Sequence, residues 1–564
     1  MRCQPWHPVD DDDNTTIGSF QRMKDEAFSL SRPSIPLCRY WQLIKTPAME
    51  RTAIADTREF VLCFDGTGYK FRGDDADSNV LKIYRMLDRN DARQFHYYQP
   101  GFGTYTTLTW QSHDTNQNRL KRWISNARDA AAGTTFDDHV MDAYRFLMRF
   151  YCPGDRIYLF GFSRGAYVAR MLAEMLDHIG MLEPGNEGKV HYVWSIFSKW
   201  AKRINSVDAE QKEKDALYGF MKALRETFCR PVSQIRFLGL FDTVNSIPRF
   251  EVNRDKFMFP YTAKTSAKVI RHAVAIDEHR AKFRQDLISD ANPNALSTQR
   301  KSRGQPARQG PLPQGRCTGE AFYRPAPPVR PQEGGRLEED HDTHQDIEEV
   351  WFAGCHADIG GGLKLDKGED LALSHVPLVW MVHEAQRAGL KFDPEKMKLF
   401  RCFEESMSNG GLSTGDPEKD NQRHGTDEES EFETALWTAS IHGHIHDFLQ
   451  YGHGEPWPTV LSWKVVEYLP FRRMGLQPDG SWKPTRWPLP LGERRDVPKD
   501  AKIHVSAIRR MKINPQYRPK NLLRDGKGKN GPPLEHGIDT WEVHAHPGCP
   551  VRETYRRKVN ETSS

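Results

Sequence analysis

Ser163 stands in Gly161-Phe162-Ser163-Arg164-Gly165, directly after the apolar run Arg156-Ile157-Tyr158-Leu159-Phe160 and directly before a helical stretch over 166–176. A Gly-x-Ser-x-Gly between a buried strand and a helix makes a turn so sharp that the serine hydroxyl projects alone above the sheet. The glycines permit the turn. Without that strand and helix, the same five letters would describe a Gly-rich turn with a capping serine. A serine hydroxyl becomes a nucleophile only when a base takes its proton, and an imidazole base needs a carboxylate to fix its tautomer. Two further residues follow apolar runs of their own: Asp242 in Leu240-Phe241-Asp242-Thr243-Val244 and His356 in Gly354-Cys355-His356-Ala357-Asp358. The order Ser163, Asp242, His356 is the nucleophile, acid, base order of sheet-borne serine hydrolases. Asp277 and Asp358 are alternative acids that could also reach the imidazole, and an aspartate at a strand end can simply cap the next helix.

Acyl transfer also requires donors for the developing oxyanion. The backbone N–H of Arg164 supplies one, and a loop after an earlier strand supplies the other, a place filled here by Gly66 and Thr67 in Asp65-Gly66-Thr67-Gly68. The plain alternative for that tetrapeptide is a tight turn. An aspartyl nucleophile at Asp65 would call for a second aspartate two residues on, where Thr67 stands. His442, His444 and His446, with Asp447 and His453, invite a zinc reading. Gly443 weakens any helix that would align His442 with His446, and no glutamate follows the first histidine, so no metal and no cofactor is expected.

The elements that must hold these residues are short and apolar. Phe60-Val61-Leu62-Cys63-Phe64, 156–160, 235–241 and 350–353 are continuous runs of the kind that parallel strands buried on both faces show, and helical segments such as 79–87 separate them. The pattern predicts an α/β fold with a mainly parallel sheet and helices on both faces. Ligands then bind beyond the carboxyl ends of the strands, where all the candidates fall. Residues 1–56 read as a disordered leader, 57–400 as the catalytic domain, 289–346 as a disordered insertion in it, 401–435 as a polar loop, and 436–564 as an irregular Trp/Pro-rich extension packed on it. Residues 190–229 form a helix pair with Trp194, Phe197 and Trp200 at helical spacing. This is either a cap over the site or ordinary core.

The charge is nearly balanced, 80 Lys+Arg against 76 Asp+Glu, which excludes the basic footprint of a nucleic-acid binder. Nine scattered cysteines without a Cys-x-x-Cys pair suit a reducing compartment. No run approaches the ~20 apolar residues that cross a bilayer. The expectation is a cytoplasmic protein, with peripheral contact to a membrane surface left open.

In combination, Cys63-Phe64-Asp65-Gly66-Thr67, 158–166, Gly239-Leu240-Phe241-Asp242-Thr243-Val244, 271–278 and 350–362 resemble the α/β-hydrolase domain family that includes the catalytic domains of type VI secretion phospholipase effectors and many fungal proteins. The resemblance covers residues 58–390. It implies an α/β-hydrolase-like fold, Ser163, Asp242 and His356 as the triad, and lipid-ester hydrolysis. The substrate expected is an ester or lipid, cleaved by a serine esterase or lipase through an acyl-enzyme. The rival readings are a binding or signalling module that keeps the fold without turnover, and an acyltransferase or thioesterase that shares the chemistry.

Overall fold

The computed structural model describes residues 57–102, 134–203, 211–244, 265–288, 345–404, 431–452, 456–471, 473–477, 482–522 and 540–558. The expected leader, most of the 289–346 insertion, most of the 401–435 loop and His453 lie outside the described residues.

The strands in chain order are β1 (Glu59–Phe64), β2 (Gln94–Gln99), β3 (Arg156–Phe162), β4 (Met181–Leu182), β5 (Cys229–Arg230), β6 (Phe237–Phe241), β7 (Val269–Ala275), β8 (Asp346–Phe352), β9 (Arg473–Leu476), β10 (Trp482–Thr485), β11 (Lys502–His504), β12 (Trp541–Ala545) and β13 (Thr554–Arg557). Nine of them form one sheet in the order β12-β13-β11-β8-β7-β6-β3-β1-β2. From β2 to β11 every pairing is parallel; β13 and β12 close that edge antiparallel. The protein is an α/β molecule with a mostly parallel central sheet.

Both faces of the sheet are covered, which is why its strands read as apolar runs rather than alternating ones. In β1, Val61 and Cys63 join the core beneath the helices Asn79–Met86 and His375–Arg387, while Phe60, Leu62 and Phe64 join the core beneath Thr134–Phe150 and Arg164–Ile179. Successive side chains on a strand point to opposite faces, so one strand feeds both cores. The chain lays β2 on one side of β1 and β3 on the other. A crevice opens at such a reversal of strand order, and Ser163 follows β3 there.

Of residues 190–229, the structure describes two helices and the short strand β5 after them. The helices Val190–Arg203 and Gln211–Phe228 pack beside Arg164–Ile179, and Trp194, Phe197 and Trp200 are buried among aliphatic and aromatic neighbours. Strand β8 starts at Asp346, earlier than hydropathy suggests. Its polar first half is held by an ion pair of Arg271 with Asp346 at 2.6 Å and a hydrogen bond between His272 Nδ1 and Glu349 at 2.8 Å. The C-terminal extension is more regular than its composition implies, since it contributes β11, β12 and β13 to the main sheet. The helix Glu431–His442 begins inside the stretch expected as a polar loop.

Candidate active site

Three strand ends deliver the site. Ser163 follows β3 in a left-handed conformation, φ 58° and ψ −123°, which costs a non-glycine residue on the order of 1–3 kcal/mol. Its surroundings enforce that turn. A Cβ on Gly161 would collide with the backbone of Gly165 and Ala166, and one on Gly165 with the carbonyls of Phe64 and Asp65. The elbow is thereby pressed against the end of β1, which is what brings the Asp65-Gly66-Thr67 turn beside the serine. The Ser163 N–H donates to the Phe241 carbonyl at 3.0 Å, tying β3 to β6 just where Asp242 leaves the sheet. Asp242 also has a positive φ, 42°. His356 opens the short helix His356–Gly360, and Gly354, with φ 112°, lets the chain turn from β8 into it.

These side chains form one hydrogen-bonded line. His356 Nε2 is 2.8 Å from Ser163 Oγ, and His356 Nδ1 is 2.5 Å from Asp242 Oδ2. An ionised carboxylate only accepts, so Nδ1 carries the proton and Nε2 is left to accept from the hydroxyl. Burial penalises the charge on Asp242, but the Arg495 guanidinium and His356 outweigh it and hold the carboxyl well below the usual range. Burial lowers the His356 pKa despite the opposing pull of Asp242. The resting site therefore holds a neutral imidazole beside an ionised carboxylate, which is the state a general base needs.

Both alternative acids are engaged elsewhere. Asp277 accepts from the Gly354 N–H and the Tyr517 hydroxyl, each at 2.8 Å. Asp358 accepts from the N–H groups of Cys355 and His446 and faces His446 Nδ1 at 2.7 Å. Each shapes the loop that carries His356, and His356 Nδ1 faces Asp242 instead. Glu278 does similar work: it accepts the His356 N–H at 3.2 Å and is forked by Arg280, and despite its burial that arginine pulls its carboxyl down to about 2.

The turn after β1 departs from expectation at Gly66. Its N–H donates to Asp65 Oδ1 at 2.7 Å and so is not aimed at an oxyanion. Asp65 also accepts from Ser78 and Tyr98, and its burial raises the carboxyl to about 6. The Thr67 hydroxyl, by contrast, is buried and has no hydrogen-bond partner among the described residues. The Arg164 guanidinium lies over the Phe102 ring at 5.6 Å. Phe162 and Phe283 flank the His356 ring at 4.8 and 4.7 Å, giving the site aromatic walls.

The histidine cluster of 442–446 has carboxylate partners: His444 meets Asp366 at 2.5 Å and His446 meets Asp358. No grouping fit to hold a metal occurs among the described residues. Sequence reasoning missed Arg495, which donates to both carboxylate oxygens of Asp242. It lies in the Trp/Pro-rich tail with nothing in its local pattern to mark it.

Residues 58–384 match the family described as "T6SS, Phospholipase effector Tle1-like, catalytic domain". The chain belongs to that family. It is 28% identical to an uncharacterised protein, YEL023C, of Saccharomyces cerevisiae, over 82% of this chain and 80% of the yeast protein. Among solved structures it is similar to an uncharacterised protein from Pseudomonas aeruginosa, at 20% identity over 63% of this chain and 50% of that one, with a TM-score of 0.31. It is also similar to the Tle1 effector bound to the VgrG spike of the type 6 secretion system, at 18% identity over 42% and 48%, with a TM-score of 0.22. The chain thus spans about half the length of each of these two solved chains.

Proposed function

We propose that this protein is a serine hydrolase that cleaves the carboxylic esters of phospholipids through an acyl-enzyme on Ser163. One observation carries the reading: the hydrogen-bonded line from Asp242 through His356 to Ser163, set on a strained elbow in a chain of the Tle1-like phospholipase family. In the first step Ser163 Oγ attacks the ester carbonyl carbon while His356 Nε2 takes the hydroxyl proton, and Asp242 stabilises the imidazolium that results. The oxyanion falls to the N–H of Arg164 and to Thr67, whose buried hydroxyl has no donor or acceptor partner among the described residues. Collapse expels the alkoxide, which takes the proton from His356. Water, deprotonated in turn by His356, then releases the fatty acid and restores the serine.

Contact with a lipid surface goes with this reading. On the helix Trp457–Val466 and the turn after it, Trp457, Leu461, Val465, Tyr468 and Leu469 are all exposed, the first three at intervals of four, so that they form one apolar stripe. A large exposed apolar patch commonly marks an interaction site. Trp463 of the same helix packs edge-on against Phe283, which itself packs on His356. Among the described residues no helix is long and apolar enough to cross a membrane. A cytoplasmic location fits the six described cysteines, all of them free.

The test is twofold. A fluorophosphonate probe should label the protein at Ser163, and purified protein should release fatty acid from phospholipid vesicles. Labelling without release, but with acyl transfer to an added alcohol or thiol, would redirect the reading to an acyltransferase. Absence of both would leave a binding module.

A further inference from the structure

Arg495 comes from the C-terminal extension, far beyond the segment that matches the family, which ends at residue 384. It reaches the centre of the site. Nη1 donates to Asp242 Oδ1 at 2.5 Å and Nη2 to Asp242 Oδ2 at 2.8 Å, and neither side chain has any solvent exposure. The remaining donors are also taken: Nε donates to the Phe283 carbonyl at 3.1 Å, Nη2 is shared with the same oxygen, and Nη1 reaches the Ala275 carbonyl at 3.3 Å. The strip around Arg495 is stitched to the loop after β7. Arg284 donates to the carbonyls of Glu493 and Arg494, Gln285 to that of Asp496, and Asn521 to those of Arg495 and Ile276. Nothing in this arrangement serves the surface.

A triad acid needs only an imidazole and a few fixed donors. Asp242 has the imidazole and the Ala275 N–H at 2.9 Å, and then a full guanidinium fork besides. Two consequences follow from elementary electrostatics. The fork fixes both carboxylate oxygens in one plane, so the edge offered to His356 cannot rotate. The cation also shares the negative charge that would otherwise act on His356 alone, so the carboxylate raises the basicity of the imidazole less than an unshared one would. We propose that Arg495 is a positioning residue for the Ser163 site, through which the C-terminal extension keeps Asp242 ionised, immobile and partly neutralised, and so keeps His356 neutral at lower pH.

The proposal rests on the hydrolase reading for its catalytic consequence, but its electrostatic core does not. The groups facing His356 are Asp242 and Ser163 on the line, Glu278 and Arg280 from the loop after β7, and the rings of Phe162 and Phe283. Arg495 touches Asp242 and the Phe283 carbonyl, and its link to the imidazole runs through the Asp242 carboxylate.

The experiment uses the full chain with isotope-labelled histidine, in wild type, Arg495→Met and Arg495→Lys. The His356 titration is followed by NMR, and kcat and KM are measured on a soluble monomeric ester across pH. With methionine the cation is gone, so the His356 pKa should rise by about one unit or more, and the acid limb of kcat/KM should move up with it. kcat should fall on the order of a hundredfold at little-changed KM. Lysine keeps the charge without the fork, so the pKa should stay near wild type while kcat falls about tenfold. A folded methionine variant with the wild-type His356 pKa overturns the proposal, as does equal loss in both variants with no change in either titration. Should the methionine variant fail to fold, lysine decides alone: wild-type kcat overturns, a selective loss of kcat at unchanged pKa supports. If wild type neither hydrolyses ester nor takes the probe, the hydrolase reading fails, and the NMR titrations still decide the role of Arg495.

Discussion

Asp242 keeps its charge where burial alone would remove it, and the roles of the carboxylates around the site differ for that reason. Replacing Asp242 with asparagine would leave the shape but reverse the tautomer of His356, and a rate loss on the order of 10⁴ is expected. Asp277→Asn and Asp358→Asn should lose far less, since those carboxylates bond to Gly354, Tyr517, Cys355 and His446. Steady-state kinetics on the three variants measures this directly, and a larger loss at Asp277 or Asp358 would unseat Asp242. Ser163→Ala should abolish probe labelling and leave the melting temperature at or above wild type, because the strained φ belongs to the turn and not to the hydroxyl. pH dependence has a definite sign. Burial depresses His356 below its ordinary 6.5, so the base stays neutral to lower pH, and kcat/KM should hold a plateau through pH 7 with its acid limb below that ordinary value. An acid limb centred above 7 would contradict it. Ser163, Asp242 and His356, which the structure brings into one hydrogen-bonded line, stand out in the sequence because each follows an apolar run. Arg495 was not, since a buried arginine in a polar tail looks like any other charged residue until its partner is located.

At the scale of elements, the buried parallel strands were legible because two covered faces demand continuous apolar runs; β1, β3 and β6 are cases. Strand β2, Gln94–Gln99, was not: lying at the sheet edge with polar ends and half-buried rings, it lacks that signature. Helical periodicity located the Val190–Arg203 helix but could not tell a cap from core, since a stripe of tryptophans looks the same in either place. The tryptophans of that helix are buried, whereas Trp457, Leu461 and Val465 of the helix Trp457–Val466 are exposed and available to a lipid surface. Replacing Trp457, Leu461 and Val465 together with serine should leave hydrolysis of a monomeric ester within about twofold while reducing vesicle hydrolysis at least tenfold, as loss of interfacial apolar area implies. Parallel assays on the two substrates, with a vesicle sedimentation measurement, check it. Equal effects on both substrates would show that the stripe supports the site rather than the membrane. The elbow itself is less forgiving. Gly165→Val forces a side chain against the Phe64 and Asp65 carbonyls, so a loss of about 1–3 kcal/mol in stability, read by denaturant melts, should accompany loss of activity.

At the scale of the molecule, the matched family segment is not a self-sufficient body. It ends at residue 384, yet β11 pairs alongside β8 in register with Val350 and Trp351, and β13 and β12 extend the sheet beyond it. Removing everything after residue 404 would expose the β8 edge and the apolar surface now covered by Ile503, Ile508, Met511 and Leu522, all buried. An uncovered hydrophobic edge strand promotes aggregation. The same truncation strips Asp242 of Arg495, leaving a carboxylate in a dry site with only His356 and the Ala275 N–H, and Asp277 loses its bond to Tyr517. Breaking a buried ion pair by deleting one partner costs about 3–5 kcal/mol, a large share of the ~5–15 kcal/mol that holds a domain folded. The fragment 57–404 is therefore expected to be insoluble or to melt without cooperativity, and to take no fluorophosphonate label in either form. Size-exclusion chromatography, a thermal melt and probe labelling of the fragment beside the full chain measure all three, and a monomeric fragment that melts cooperatively and labels at the wild-type rate would show that the extension is an accessory rather than part of the enzyme.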